Sequence, residues 1–437
     1  SAVEVCGANM SLLVSACTGD IKLMSNKGRS QLPMRGSFNR LGLNSHCFCW
    51  FLRFIVIAKH TFGGLFMTRV ALLLSLLLAV SPSAYSAELP DTGVSGVYEV
   101  MIGVDAAGPS IDYFAEFGFR VVAEASLSAE QAKSLYGVDS SASVYRLQNG
   151  SIDAHGLLRI IEWESPLGPG VGFAPPETVG VRMAVMRTED IVRLADVFGD
   201  LREQAGEPWL LAGPVYDDLY DATAGNPTIS NRRVGVREMG VYGQDFNHVF
   251  FQRYGYTIPG YGTIGDHSPL RTSEFTHHDF FVSGDLDEVT AYYSDVLGFK
   301  SEGETVIDGE WQPGPKAVFQ MGPGRSHWYR GFVSPNNICG KLKFFSVDGL
   351  HEVDDRSHRQ RPGELGITLH SVWTPNLSMV RELAREHDIE VTDIARNEFG
   401  EESFVLSGPD GATWQVIGRD EAEKPAELEF KLVPVAN

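Results

Sequence analysis

The sequence predicts an α+β protein in which one grammar, a strand followed by a helix and several strands, recurs four times beyond residue 87. Three observations predict it. Two segments about 180 residues apart share the grammar closely, two weaker copies lie between and after them, and a Gly- and Tyr-rich stretch without periodicity separates the copies into two pairs.

The first copy opens with Tyr98-Glu99-Val100-Met101-Ile102-Gly103-Val104 and runs through an amphipathic stretch to Phe117-Gly118-Phe119. The third opens with His277-His278-Asp279-Phe280-Phe281-Val282, and its apolar residues Leu286, Val289, Tyr292, Tyr293 and Val296 recur at helical spacing before Leu297-Gly298-Phe299. Gly118 and Gly298 stand where such helices must stop, because glycine accepts the left-handed C-cap conformation and the following aromatic packs back on the last turn. The second copy is Val179 to Met186 with a helix over 190–205, closing in Asn247 to Gln252. The fourth is Gly366 to Trp373 with a helix over 377–387, closing in Gly408 to Ile417. The stretch from Tyr254 to Gly262 is the connection, and residues 419–437 form a tail.

What precedes the first copy has a different character. Residues 1–66 are basic and hold four of the five cysteines, and read as a leader foreign to the folded protein. Met67-Thr68-Arg69, an apolar run from Val70 to Val80 and small residues around Ala84 and Ser86 have the three parts of a secretory signal peptide over 67–87; the run is about half of the roughly 20 residues a spanning helix needs, which makes a retained anchor the lesser alternative. Export to a periplasmic or extracellular space is therefore expected, with no stable membrane insertion after cleavage. Removing residues 1–87, with eight Lys/Arg and two Asp/Glu, leaves 28 basic against 54 acidic side chains, a formal balance of −26 that repels nucleic acid. Only Cys339 remains there, so no disulfide framework is available and the thiol reads as packed. There is no P-loop, no Gly-x-Ser-x-Gly elbow and no Cys-x-x-Cys beyond residue 87.

The segments Tyr293-Ser294-Asp295-Val296-Leu297-Gly298-Phe299 and Gly408-Pro409-Asp410-Gly411-Ala412-Thr413-Trp414-Gln415 resemble the helix end and the closing turn and strand of the vicinal oxygen chelate superfamily, which includes glyoxalase I, extradiol dioxygenases and bleomycin-binding proteins. The resemblance spans most of residues 94–418. It implies four βαβββ modules pairing into two half-barrel, glyoxalase/dioxygenase-like domains: an N-terminal one over 94–255 and a C-terminal one over 272–418. It further implies a small-molecule ligand and a divalent metal (Fe, Mn, Ni or Zn), held by the first and last strands of the modules for lyase, isomerase or dioxygenase chemistry.

Carried over residue by residue, the resemblance implies His277, His370 and Gln415 as metal ligands of the C-terminal cup, with Glu99 and Gln252 in the second cup. Counting along the strand, His370 faces the cup only if a bulge corrects the register by one residue. Glutamines stand where the closing strands should supply acids, and an amide brings no charge to a metal. A metal-free, exported small-molecule-binding protein is therefore the alternative reading. For His277 a ligand-facing role and a packed role are equally open, since His277-His278 puts one imidazole on each face of its strand. Glu99 reads slightly better as an acid paired with an arginine, His327 as a loop histidine with a ligand-lining role as the alternative, and Glu162 as a solvent-facing strand residue. Monomer and oligomer are both compatible with the sequence.

Overall fold

The computed structural model describes residues 89–420 apart from 207, 221–233, 255, 259, 309–312, 338 and 348–353, together with backbone strands at 3–7, 10–14, 21–25 and 433–434. Ser1–Ala87 and Glu88–Asn437 are separate units. Of the first, the three antiparallel strands Val3–Gly7, Met10–Val14 and Ile21–Ser25 are described; the expected signal peptide at 67–87 lies outside the described residues.

The second unit holds the four modules. Module one is β1 (Glu99–Val104), α1 (Ala107–Glu116), β2 (Phe119–Leu127), α2 (Ala129–Tyr136), β3 (Ala142–Asn149) and β4 (Leu157–Trp163). Module two is β5 (Arg182–Thr188), α3 (Ile191–Asp200), β6 (Leu210–Tyr220), β7 (Val234–Tyr242) and β8 (Asn247–Tyr254). Module three is β9 (Thr272–Phe281), α4 (Leu286–Asp295), β10 (Lys300–Asp308), α5 (Pro313–Val318), β11 (Ser326–Val333) and β12 (Lys341–Val347). Module four is β13 (Gly366–Thr374), α6 (Leu377–Glu386), two short strands, β14 (Glu402–Ser407) and β15 (Thr413–Gly418).

The module helices end and begin for local reasons. The Asp285 carboxylate accepts the Asp287 N–H at 2.7 Å at the start of α4, with Asp287 and Glu288 favourably placed in its first turn. Gly298 at φ +76° closes that end of the chain and lets the Phe299 N–H reach the Tyr293 carbonyl at 2.8 Å, as the sequence leads one to expect. α1 has no cap of its own; Glu162 of β4 supplies one, its Oε2 accepting the Ala107 N–H at 2.8 Å. Glu162, expected as a solvent-facing strand residue, is half-buried and caps this helix as well.

Within each module the first and last strands are parallel neighbours, and modules join where two first strands pair antiparallel. β13 pairs with β1 through Ser371 opposite Glu99, and β9 pairs with β5 through His277 opposite Val185. One sheet is therefore β14-β15-β13-β1-β4-β3-β2 with the two short strands both on β14, from modules four and one; the other is β10-β11-β12-β9-β5-β8-β7-β6, from modules three and two. The chain-order pairing expected over 94–255 and 272–418 is not what the strands form. Modules two and three, consecutive in the chain, share one sheet, and modules one and four close the other around them. The tail adds Val433–Pro434 to Tyr256–Thr257.

The core lies between sheets and helices. Phe280 of β9 stacks on Phe344 at 4.9 Å and on Trp414 of the other sheet at 5.9 Å, within a buried cluster that also takes Leu286, Tyr293 and Val380 from α4 and α6. α1 and α3 bury Phe114, Ile191, Leu194 and Phe198 against Val100, Ile102, Ala184, Met186 and Phe250 in a second cluster. Each sheet keeps its other face, the cup face, turned away from these four helices. Two helices that the sequence reading did not foresee cover the cups: Ala132 and Leu135 of α2 pack on Met101, Val144 and Leu369, and Val318 of α5 packs with Phe319 on Phe281 and Phe345. Ser128 and Gln131 form a capping box at the start of α2, a signal legible in the sequence. Among the described residues no helix is long and apolar enough to cross a membrane.

Candidate functional site

Strand register decides which side chains reach each cup. In the sheet of modules one and four, Ser371 lies opposite both Glu99 and Gln415, so those three share the cup face. Arg159 sits opposite Met101 on β4, and Arg146 of β3 opposite Arg159, which adds two guanidiniums to that face. The β13 ladder does contain an irregularity, between Ile367 and Leu369. Its effect is to bring Ser371 rather than His370 into line with Glu99. His370 points the other way, into the core between the sheets, where its ring lies 5.0 Å from His278, 4.8 Å from Phe280 and 5.3 Å from Trp414. Burial, with His278 and Arg182 nearby, holds it well below the ordinary histidine range.

The expected triad of His277, His370 and Gln415 therefore does not assemble. His277 belongs to one cup, Gln415 to the other, and His370 to neither. Nor do Glu99 and Gln252 meet, because they lie in different sheets. Gln252 sits towards the end of β8, accepting from Arg237 at 3.3 Å and donating to the Glu189 carbonyl at 2.6 Å. His278 is fully buried between the sheets, its ring 5.0 Å from that of His370 in module four.

The first cup is an ion-pair network. Glu99 Oε2 accepts from Arg146 Nε at 2.9 Å, and its Oε1 from Arg146 Nη2 at 3.2 Å and from Arg159 Nη2. Arg159 Nη1 is 2.9 Å from Glu398 Oε1, and the other Glu398 oxygen accepts from the Tyr136 hydroxyl at 2.8 Å. Arg146 makes a two-pronged pair with Glu401 at 2.7 and 3.1 Å and lies 4.0 Å from the Phe399 ring centre. Gln415 Nε2 donates to Ser403 Oγ at 3.1 Å. The arginine-paired reading of Glu99 holds in full. These residues do not fit a divalent metal: the one acid of the expected ligand positions already faces two guanidiniums, whose positive charge repels a cation at short range in a buried site.

The second cup is built differently. On β9, His277 and Asp279 both face it, two residues apart, with Lys341 and Lys343 beside them on β12. His277 Nδ1 is 2.7 Å from the Tyr261 hydroxyl, and the Phe251 ring packs 5.2 Å away. His277 Nε2 and Asp279 Oδ1 stand 3.9 Å apart, both buried and neither with a hydrogen-bond partner among the described residues. Burial holds the His277 imidazole well below its ordinary range, with Lys343 and Lys341 adding to the effect. Burial also pushes the Asp279 carboxyl up to about 6, against the pull of Lys343 and Lys341. Lys343 Nζ lies 5.4 Å from the Phe251 ring centre, and Lys341 pairs with Glu302. One imidazole, one carboxyl and two ammonium groups again make a poor metal site, and among the described residues no three His, Cys, Asp or Glu side chains converge as a ligand set.

His327 also faces this cup rather than a surface loop. It lies in β11, fully buried, with Nε2 3.0 Å from Glu177 Oε1 and its ring against Phe281 and Phe319. The residues that sequence reasoning missed were legible by alternation: Asp279 is two positions from His277, and Lys341-Leu342-Lys343-Phe344 alternates charge with apolar side chains. Cys339, which lacks a base nearby in sequence, has the His155 ring beside it in space, but that ring is not a free base. Burial opposes its charge, yet Cys339 and Glu274, whose Oε1 lies 3.3 Å from Nε2, outweigh burial and push the imidazole up to about 10, so it holds its proton at neutral pH.

A scan against protein-family models and a search of curated proteins found no match. Among solved structures, glyoxalase I from Zea mays is 12% identical, with 74% of this chain and 92% of that one covered and a TM-score of 0.43. Catechol 2,3-dioxygenase is 16% identical, with 78% and 94% covered and a TM-score of 0.22. A glyoxalase family protein from Bacillus cereus is 16% identical, with 37% and 95% covered and a TM-score of 0.25. By its own strand order and module pairing, the chain is an α+β protein of four modules that pair into two half-barrel sheets, with ionic and hydrogen-bonding side chains where the resemblance implied metal ligands.

Proposed function

We propose that this is an exported protein that binds a small molecule in the cup of modules two and three, without a resident metal. One observation carries the reading: His277 Nε2 and Asp279 Oδ1 are buried 3.9 Å apart on the cup face with no hydrogen-bond partner among the described residues. Leaving such an atom unsatisfied costs about 1–3 kcal/mol, so two together, beside the Lys343 ammonium, call for a ligand that satisfies them. A molecule with a hydroxyl or amide donor next to an oxygen acceptor has the matching chemistry: the donor meets Asp279, the acceptor meets Lys343, and Tyr261 keeps the imidazole oriented. Phe251, Phe281 and Phe345 supply apolar walls, as ligand cups commonly have. The segment from α5 to Met321 covers this face, tied by the Tyr242 hydroxyl donating to the Val318 carbonyl at 2.5 Å, and entry requires it to move.

Native mass spectrometry of protein isolated without denaturation tests the reading. The expected spectrum shows a non-covalent small-molecule adduct that is lost in Asp279→Asn and His277→Ala variants that still fold. A bare wild-type chain whose melting also fails to respond to a panel of hydroxy acids, catechols and hydroxyketones contradicts it. Export is checked separately by the N-terminus of protein recovered from the periplasm, which should begin close to Ala87.

A further inference from the structure

A cleft of about 330 Å3 opens beside the end of β5 and β8 and is lined by Arg187, Arg253 and Arg271, with Glu189, Thr188 and Ile264. Arg187 and Arg253 come from parallel neighbouring strands, and the β5–β8 ladder places Phe251 opposite Arg187, so the two guanidiniums leave one sheet face together. Neither meets a carboxylate among the described residues. Arg187 donates through Nη1 to the Gly262 carbonyl at 2.7 Å, and its buried Nε has no hydrogen-bond partner among the described residues. Arg253 donates to the Tyr261 carbonyl at 2.9 Å, and its guanidinium packs 4.8 Å from that ring. Only Arg271 is neutralised, by Glu189 at 2.6 Å and Asp266 at 2.5 Å. Gly262, at φ +88°, makes the arrangement: a Cβ there would stand 2.5 Å from Arg187 Cδ, so only glycine lets the loop carbonyl close on the guanidinium.

Two adjacent, half-buried guanidiniums without a counter-ion are unexpected in a chain of formal charge −20. Burial, reinforced by Arg253, lowers Arg187 to about 10. A planar fork held by backbone carbonyls keeps its remaining N–H groups aimed outward, the geometry that receives two oxygens of one anionic group. We propose that this cleft binds the oxyanion group, carboxylate or phosphate, of a small molecule between Arg187 and Arg253. The proposal does not rest on the His277–Asp279 reading, since it uses other side chains.

The test is isothermal titration of the full chain with sodium phosphate and, separately, with sodium succinate at constant ionic strength. Saturable binding of either anion is expected, weakened about tenfold or more by Arg187→Gln and by Arg253→Gln, and unchanged by Arg120→Gln in the other sheet. Phosphate alone binding identifies a phosphate site, succinate alone a carboxylate site, and both a general oxyanion site. Should a variant fail to fold, arginine modification of the wild-type chain by phenylglyoxal, read by peptide mass spectrometry, replaces it: the bound anion should protect Arg187 and Arg253 and leave Arg120 reactive. Absence of binding by both anions, or binding that neither substitution nor protection maps to Arg187 and Arg253, overturns the proposal.

Discussion

Asp279 and His248 show how burial sets opposite pH responses in single residues, for Asp279 against the pull of two lysines. The Asp279 carboxyl is pushed up to about 6 by burial, so the folded chain holds its proton between about pH 4 and 6 while the unfolded chain has released it. Stability from this group therefore falls as pH rises through that window and stays low above it. Asp279→Asn should raise unfolding stability at pH 8 by up to about 3 kcal/mol, with the gain vanishing near pH 4; urea denaturation at both pH values checks it. His248 sits among Phe117, Phe246 and Phe250 with neither ring nitrogen hydrogen-bonded among the described residues, and burial lowers it to about 3. The unfolded ring takes a proton below about pH 6.5, so stability is lost as pH falls from there towards 3. His248→Phe should shift the acid-unfolding midpoint, followed by circular dichroism, to lower pH. At this scale the sequence was half legible. Alternation along a strand shows that His277 and Asp279 share a face, but the groups set beside them, Phe251 against the His277 ring and Lys341 and Lys343 on the neighbouring strand, are remote in the chain.

At the scale of elements, the two cups differ in what fills them. Arg159, fully buried in β4, holds Glu99 from β1 and Glu398 from the loop before β14, so one side chain joins modules one and four. Removing one member of a buried ionic set leaves the others uncompensated, at a cost of about 3–5 kcal/mol. Arg159→Met should cost that much in urea denaturation, and adding Glu398→Gln should recover part of it; additive losses would show that no such coupling exists. Gly118 and Gly298 announced their helix ends because a left-handed cap admits few other residues. The register of β13 was not legible, because the irregularity near Thr368 leaves no trace in hydrophobic pattern, and a one-residue difference sends His370 to the core and Ser371 to the cup. The α4 tyrosines were readable only as core: Tyr293 and Tyr292 in fact donate to Asp410 at 2.7 and 3.1 Å, tying α4 to the closing turn of module four.

For the whole molecule, four modules were legible and their partners were not. Repetition shows in the sequence; which first strands pair depends on contacts between segments far apart in the chain. Because modules one and four share one sheet and two and three the other, a break in the connection near residue 260 cuts both sheets. Fragments 89–258 and 260–437 should each be unfolded alone and form one folded complex when co-expressed, as gel filtration and circular dichroism would show; two independently folded halves would restore chain-order pairing. The same topology separates the expected ligands, leaving guanidinium and ammonium groups in cups that the resemblance implied were metal sites. Elemental analysis of protein purified without chelators tests that claim most directly. The structure leads us to expect substoichiometric transition metal and a melting temperature unmoved by EDTA, whereas a full equivalent of iron, manganese, nickel or zinc that disappears in His277→Ala or Glu99→Ala would contradict it.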